Sequence, residues 1–217
     1  MIRIGVLVSG SGSNLQSIMD ACERGVIEGQ VAVVVSNVTE AYALERARNG
    51  SIPTVVLSHN DFPDRKAFDR ELAATLQENR VDLVVLAGFM RVLSDGFLRE
   101  FPGRVMNIHP ALLPSFPGLG VRRKAIEHGV RFSGCTVHFV DAGVDTGPII
   151  IQAVVPVYPD DTEGELRERI LAQEHKIYPK AIQLFAQGRL IVTGRKVYVR
   201  GFDKDAAQCL VNPPLDI

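Results

Sequence analysis

The run VMNIHPALLPSFPG (105–118) holds the first side chains with the makings of a reaction centre. Asn107 and His109 stand two residues apart in a strand-like stretch and so share one strand face. An amide offers an N–H donor to a developing oxyanion, and an imidazole offers a proton or a second donor. Prolines follow at 110, 114 and 117. Pro110 keeps His109 out of helical geometry, and stiffened donors lose little entropy as a transition state forms. A cis bond at Pro114 is expected. Further on, the glycine-rich turn DAGVDTGPI (141–149) carries Asp141 and Asp145. A carboxylate brought beside the imidazole would orient it and balance its charge. These residues also have plainer uses: a surface Asn, a core His, and Asp and Gly chosen for their turn backbone.

Three further segments could bind. SGSGSN (9–14) joins an apolar strand to a helix. Small residues let the backbone approach a ligand, and a helix start presents free N–H groups, so a phosphate is the natural guest. The segment is no P-loop, since Gly-Lys-Ser/Thr is missing, and Leu15 breaks the dinucleotide fingerprint. A tight strand-to-helix turn would also explain it. Glu174 falls on the apolar stripe Leu166, Ile170, Ile177, Ala181, Leu184 of a long helix. A carboxylate there needs a partner, either an internal cation or a ligand amine or hydroxyl. LAGFMRVLS (86–94) closes a strand with Phe89, Met90, Val92 and Leu93 around Arg91, which suits a pocket for a flat heterocycle or ordinary core. No His/Cys cluster with metal-ligand spacing occurs, so no metal site is expected.

The elements that must position these residues alternate. Strands are predicted at 2–9, 31–36, 53–58, 81–88 and 103–109. Helices are predicted from 13 to Gly25, over 40–50 with Gly50 as its stop, and over 64–80. Ser13 and Gln16 can form a capping box at the first helix, where Leu15, Ile18, Met19 and Cys22 fall at helical spacing. The 64–80 helix is rich in i,i+4 charge pairs around Glu71. The pattern implies an α/β fold with a doubly wound, mostly parallel sheet. Strands 134–141 and 147–157 have a short connection that suits an antiparallel pair. A helix over about 162–186, opened by the capping box Thr162 and Glu165, and a hairpin over 189–201 complete an antiparallel C-terminal part. The 217 residues read as one domain, with a phosphate-binding half at about 1–100 and a catalytic half at about 101–217.

Lys and Arg number 24 against 25 Asp and Glu, for a net charge of −1, which argues against nucleic acid as a partner. No apolar run approaches the roughly 18 residues of a membrane span, and MIRIGVLVSG is too short for a signal peptide. Cys22, Cys135 and Cys209 are odd in number and far apart, as expected of reduced thiols in a cytoplasmic protein.

Together SGSGSN, LAGFMRVLS, NIHPALLPSFPG, GCTVHFVDAGVDTGPI and QEHKIYP (173–179) resemble, in order and over about residues 5–190, the phosphoribosylglycinamide formyltransferases of purine synthesis. The resemblance implies transfer of a formyl group from 10-formyltetrahydrofolate to the amine of 5′-phosphoribosylglycinamide, with no covalent enzyme intermediate. It makes Asn107, His109 and Asp145 the catalytic trio. It assigns Gly12, Ser13, Asn14 and Glu174 to the phosphorylated acceptor. It assigns the folate to Arg65, Met90, Arg91, Val92, Leu93, Asn107, Asp141, Ala142, Gly143, Val144 and Asp145. One departure stands out: relatives often carry His after Pro-Gly-Leu, where this chain has Gly120. Two related activities share the trio pattern. Methionyl-tRNA formyltransferase carries a further C-terminal domain, whereas only 27 residues follow residue 190. Formyltetrahydrofolate deformylase carries an N-terminal regulatory domain, whereas site-bearing sequence begins here at once. A non-catalytic phosphate-sugar binding module would leave the trio without a purpose. Monomer and homodimer both stay open.

Overall fold

The computed structural model describes residues 1–201. Its elements run β1 (Ile2–Val8), α1 (Ser13–Glu23), β2 (Gly29–Ser36), α2 (Tyr42–Asn49), β3 (Thr54–Val56), α3 (Arg65–Glu78), β4 (Leu83–Leu86), α4 (Asp95–Glu100) and β5 (Val105–His109). Then follow α5 (Val121–Glu127), β6 (Phe132–Phe139), β7 (Ile149–Pro156), α6 (Glu163–Ala186), β8 (Leu190–Thr193) and β9 (Lys196–Val199). One nine-stranded sheet has the order β3-β2-β1-β4-β5-β6-β7-β9-β8. All pairings from β3 to β5 are parallel. β6 runs antiparallel to both β5 and β7, and β8 to β9. β9 joins β7 in parallel through one pair, Ile149 with Lys196. The chain winds outward from β1 to β3, then returns to β4 on the other side of β1. That reversal opens a crevice at the strand carboxyl ends, where such sheets bind ligands.

Both sheet faces are buried, so the central strands read as continuous apolar runs rather than alternating ones. Ile4, Val6 and Val8 pack under α1 and α6 with Leu15, Ile18, Leu166, Ile170 and Tyr178. Leu7, Val33, Val35 and Val84 face the other way, under α3 and α4, with Phe68, Leu72, Leu76 and Phe97. Tyr178 is fully buried and its hydroxyl donates to the carbonyls of Leu86 (2.9 Å) and Met106 (3.1 Å). This bolts α6 across the ends of β4 and β5, and sets Glu174 one turn away over the crevice.

Several local expectations are corrected. No capping box forms at Ser13 and Gln16: Gly12, at φ 71°, occupies the cap one residue earlier, and Gln16 donates to Asp20 instead. Ala21 is buried where Met19 and Cys22 are only half-buried. Gly50 ends α2 as expected, at φ −84°, and the left-handed residue is Ser51 at φ 55°. Glu71 is exposed and makes no ion pair among the described residues; the i,i+4 ion pair among them lies on α5, Arg123 with Glu127. The short helices α4 and α5 were not anticipated, because six or seven residues show too little periodicity to stand out. The capping box at Thr162 and Glu165 is present, and the Leu113–Pro114 bond is cis, both as expected.

Candidate active site

Strand β5 ends with Asn107 and His109 at the crevice, and Asp145 swings in from the loop between β6 and β7. His109 is buried, with Nδ1 3.3 Å from Asp145 Oδ2. Asn107 Nδ2 lies 3.4 Å from Asp145 Oδ1. Asp145 also accepts from the Gly118 N–H at 2.9 Å, tying the loop after β5 to the same carboxylate. Burial pushes the Asp145 carboxyl up. Hydrogen bonds from His138 and Gly118 and the charges of His109 and His138 outweigh it and hold the carboxyl below its usual range.

His138 is a fourth member that sequence reasoning passed over as a strand residue. It is buried on β6 opposite Asn107. Its Nδ1–H donates to the Phe139 carbonyl (2.8 Å), which leaves Nε2 to accept from Asn107 Nδ2 at 3.2 Å. Nε2 is also 3.7 Å from Asp145 Oδ1 and reaches it as a donor only when the ring is protonated. His109 Nε2–H in turn donates to the Phe116 carbonyl at 2.8 Å. Asn107 Nδ2 at 3.2 Å and His109 Nε2–H at 2.8 Å are thus both engaged by protein acceptors, which an oxyanion would have to replace to receive them.

The loop after β5 is held as firmly as its prolines suggest. Thr136 donates to the Ala111 carbonyl (2.7 Å) and accepts from the Leu113 N–H (3.1 Å). Gln152 Nε2 donates to the Leu113 carbonyl (2.9 Å) and to the Thr136 hydroxyl (3.0 Å).

A cavity of about 480 Å³ opens over these groups, the size of a small-ligand site. Its lining includes Ser13, Asn14 and Glu174. Asn14 Nδ2 donates to Glu174 Oε2 at 2.8 Å, both side chains being buried. Burial pushes the Glu174 carboxyl up, opposed by the Asn14 hydrogen bond and by the charges of Arg122 and Arg167. The same cavity is lined by Met90 to Leu93, Val140, Asp141 and Gly143 to Asp145. There the 88–94 segment is pinned at both ends. Ser9 accepts from the Met90 N–H (2.9 Å) and buried Asp69 accepts from the Ser94 N–H (2.7 Å).

Comparison with known proteins settles the family. The formyl transferase family model matches residues 2–182. The chain is 49% identical over 189 residues to the phosphoribosylglycinamide formyltransferase of Escherichia coli, covering 87% of this chain and 89% of that one. It is 58% identical, at a TM-score of 0.91, to the solved glycinamide ribonucleotide transformylase 1 of Symbiobacterium toebii, covering 92% and 94% of the two chains. The chain belongs to the phosphoribosylglycinamide formyltransferases. It is also 50% identical to the trifunctional purine biosynthetic protein adenosine-3 of Drosophila melanogaster, of which it spans 14% of the length.

The structure brings most sequence-predicted residues of this formyltransferase into one crevice, with three exceptions. Gly12 and Ala142 flank lining residues without lining the cavity themselves. A Cβ on Gly12 would strike Ala43 of α2, so this glycine answers to the φ of 71° and to helix packing. Arg65 is placed elsewhere, at the start of α3 in a separate cleft with Asp69, Arg70 and Arg99. The resemblance assigned Arg65 to the folate; here it lines this other cleft. Asp141 lines the cavity, but its Oδ1 is engaged by the Gly143 N–H (3.1 Å) and the Thr146 hydroxyl (2.6 Å), so it shapes the turn. Gly120, where relatives often carry His, caps α5 at φ 69° and has no side chain to offer. Arg122, Arg167 and His138 were missed. The signal for the first two was present in their positions: basic residues, one following the loop after β5 and one preceding Glu174 by two helical turns.

Proposed function

We propose that this chain transfers the formyl group of 10-formyltetrahydrofolate to the amine of 5′-phosphoribosylglycinamide, as one formyltransferase domain. The observation that carries the proposal is the convergence of Asn107, His109 and Asp145 on one cavity with two unlike sets of lining residues. The start of α1, Asn14 and Glu174 suit a phosphorylated polyol; Met90 to Leu93 and the 141–145 turn suit a flat heterocycle.

The acceptor amine attacks the formyl carbon, a new N–C bond forms, and the carbonyl electrons move onto oxygen. Asn107 Nδ2 and a protonated His109 donate to that oxyanion, and Asp145 holds the imidazole and balances its charge. The intermediate collapses with cleavage of the bond to N10 of the folate, and the proton lost by the amine ends on that nitrogen. No step needs a covalent enzyme intermediate. Among the described residues no group of three His, Cys, Asp or Glu is arranged to hold a metal ion, and no helix is long and apolar enough to cross a membrane. Cys22 and Cys135 are free thiols, which suits a reducing cytoplasm; Cys209 lies outside the described residues.

Initial rates with 10-formyltetrahydrofolate and each of phosphoribosylglycinamide, water and methionyl-tRNA as acceptor test the reading. Transfer to the glycinamide should dominate. Formate or formylated tRNA as the main product would overturn it.

A further inference from the structure

We infer that Arg122 and Arg167 form a two-armed clamp for the acceptor's phosphate, in the cavity that the start of α1 also lines. The inference rests on the functional reading above and adds residues outside the catalytic trio.

The two arginines come from different elements and meet at one place. Arg122 is the second residue of α5. Arg167 lies on α6 at the i, i+4, i+7 spacing that puts it, Leu171 and Glu174 on one helix face. Both arginines line the cavity with Ser13 and Asn14. Their neighbours show how arginines on these helices are otherwise satisfied. Arg169 is gripped by both oxygens of Asp161, each at 2.8 Å, and Arg123 pairs with Glu127. Among the described residues Arg122 and Arg167 make no hydrogen bond or ion pair. Glu174 does not take that part: its bonded partner is Asn14.

The charge count points the same way. Two guanidinium charges act on one buried carboxylate, Glu174, which leaves positive charge over beside it. A phosphate at the α1 N-terminus would balance it, and guanidinium forks match phosphate oxygens in geometry as well as in sign. A second observation places a ligand here. Asn14 Oδ1 is buried with no hydrogen-bond partner, an acceptor that a ligand hydroxyl or amine would satisfy. Anion clamp and open acceptor belong to the same cavity, as a phosphorylated sugar requires. Both arginines also act on Glu174, opposing the upward push of burial on its carboxyl.

The test compares phosphoribosylglycinamide with the same acceptor lacking its phosphate, in wild type, Arg122→Met and Arg167→Met. Each substitution should raise the KM for the phosphorylated acceptor about 10-fold or more and leave the folate KM unchanged, the scale of one charge-assisted hydrogen bond. On the dephosphorylated acceptor the loss should be several-fold smaller, so the preference for phosphate shrinks. Arg→Lys should fall between, keeping the charge and losing the fork. Equal losses on both acceptors would overturn the clamp, as would a rise confined to the folate KM. Equilibrium titration with inorganic phosphate separates this from a failure of the functional reading. Phosphate binding weakened in both variants supports the clamp whatever the acceptor proves to be; unchanged binding refutes it.

Discussion

Replacing Asp145 by Asn should lower turnover by about two to three orders of magnitude while moving both Michaelis constants only a few-fold. Asn is the suitable probe because residue 145 has φ 56°, a left-handed conformation that Asn tolerates and Ala resists. Its amide oxygen can still accept from Gly118, so the loop after β5 keeps its anchor. What disappears is the charge. A full negative charge 3.3 Å from His109 Nδ1 is worth about 5 kcal/mol to the protonated ring at an effective dielectric constant of about 20. The carboxylate is 12% exposed and the amide dipole restores part of that attraction. A net loss of about 3–4 kcal/mol at the transition state remains, and about 1.4 kcal/mol corresponds to each factor of ten. The new amide also points its N–H groups at Asn107 Nδ2, setting donor against donor where Oδ1 now accepts. Initial rates at saturating concentrations of both substrates, with melting temperature as the control for folding, give the answer. A folded variant with turnover within tenfold of wild type would refute the reasoning, as would a loss carried wholly by KM.

Glu174→Gln should raise the acceptor KM at least tenfold with little effect on the folate KM. Since burial raises the Glu174 carboxyl, its ionised form weighs against the fold at neutral pH. The free variant should therefore melt no lower than wild type, and a lower melting point with unchanged KM would make Glu174 structural. Tyr178→Phe removes the one hydroxyl that serves Leu86 and Met106, and should cost about 1–2 kcal/mol, a fall of about 2–8 °C in melting temperature; an unchanged melting curve would contradict the bolt. Asp161 is held below the usual carboxylate range, chiefly by its hydrogen bonds from Arg169. A depressed carboxylate supports the fold above its unfolded value and loses that support as pH falls through its folded value. Asp161→Asn should therefore be most destabilising near neutral pH, with urea midpoints converging on wild type below about pH 3; a gap independent of pH would count against the pair.

The sequence alone determined what depends on near neighbours. Alternating strands and helices, both antiparallel strands after 130, the Thr162 cap and the shared face of Asn107 and His109 all follow from spacing and local backbone preference. The motif order went further and named the trio and most of the cavity. Tertiary structure decided what depends on direction and on contacts between distant segments. It put His138 against Asn107 across two strands, set Arg65 in a cleft apart from the cavity, and packed Gly12 against Ala43. It also left Arg122 and Arg167 unpaired beside Glu174 while pairing their neighbours Arg123 and Arg169. Residues at such separations meet only because the β1–β4 reversal and the α6 crossover bring them to one crevice. No period in the chain encodes which way a long side chain will then point.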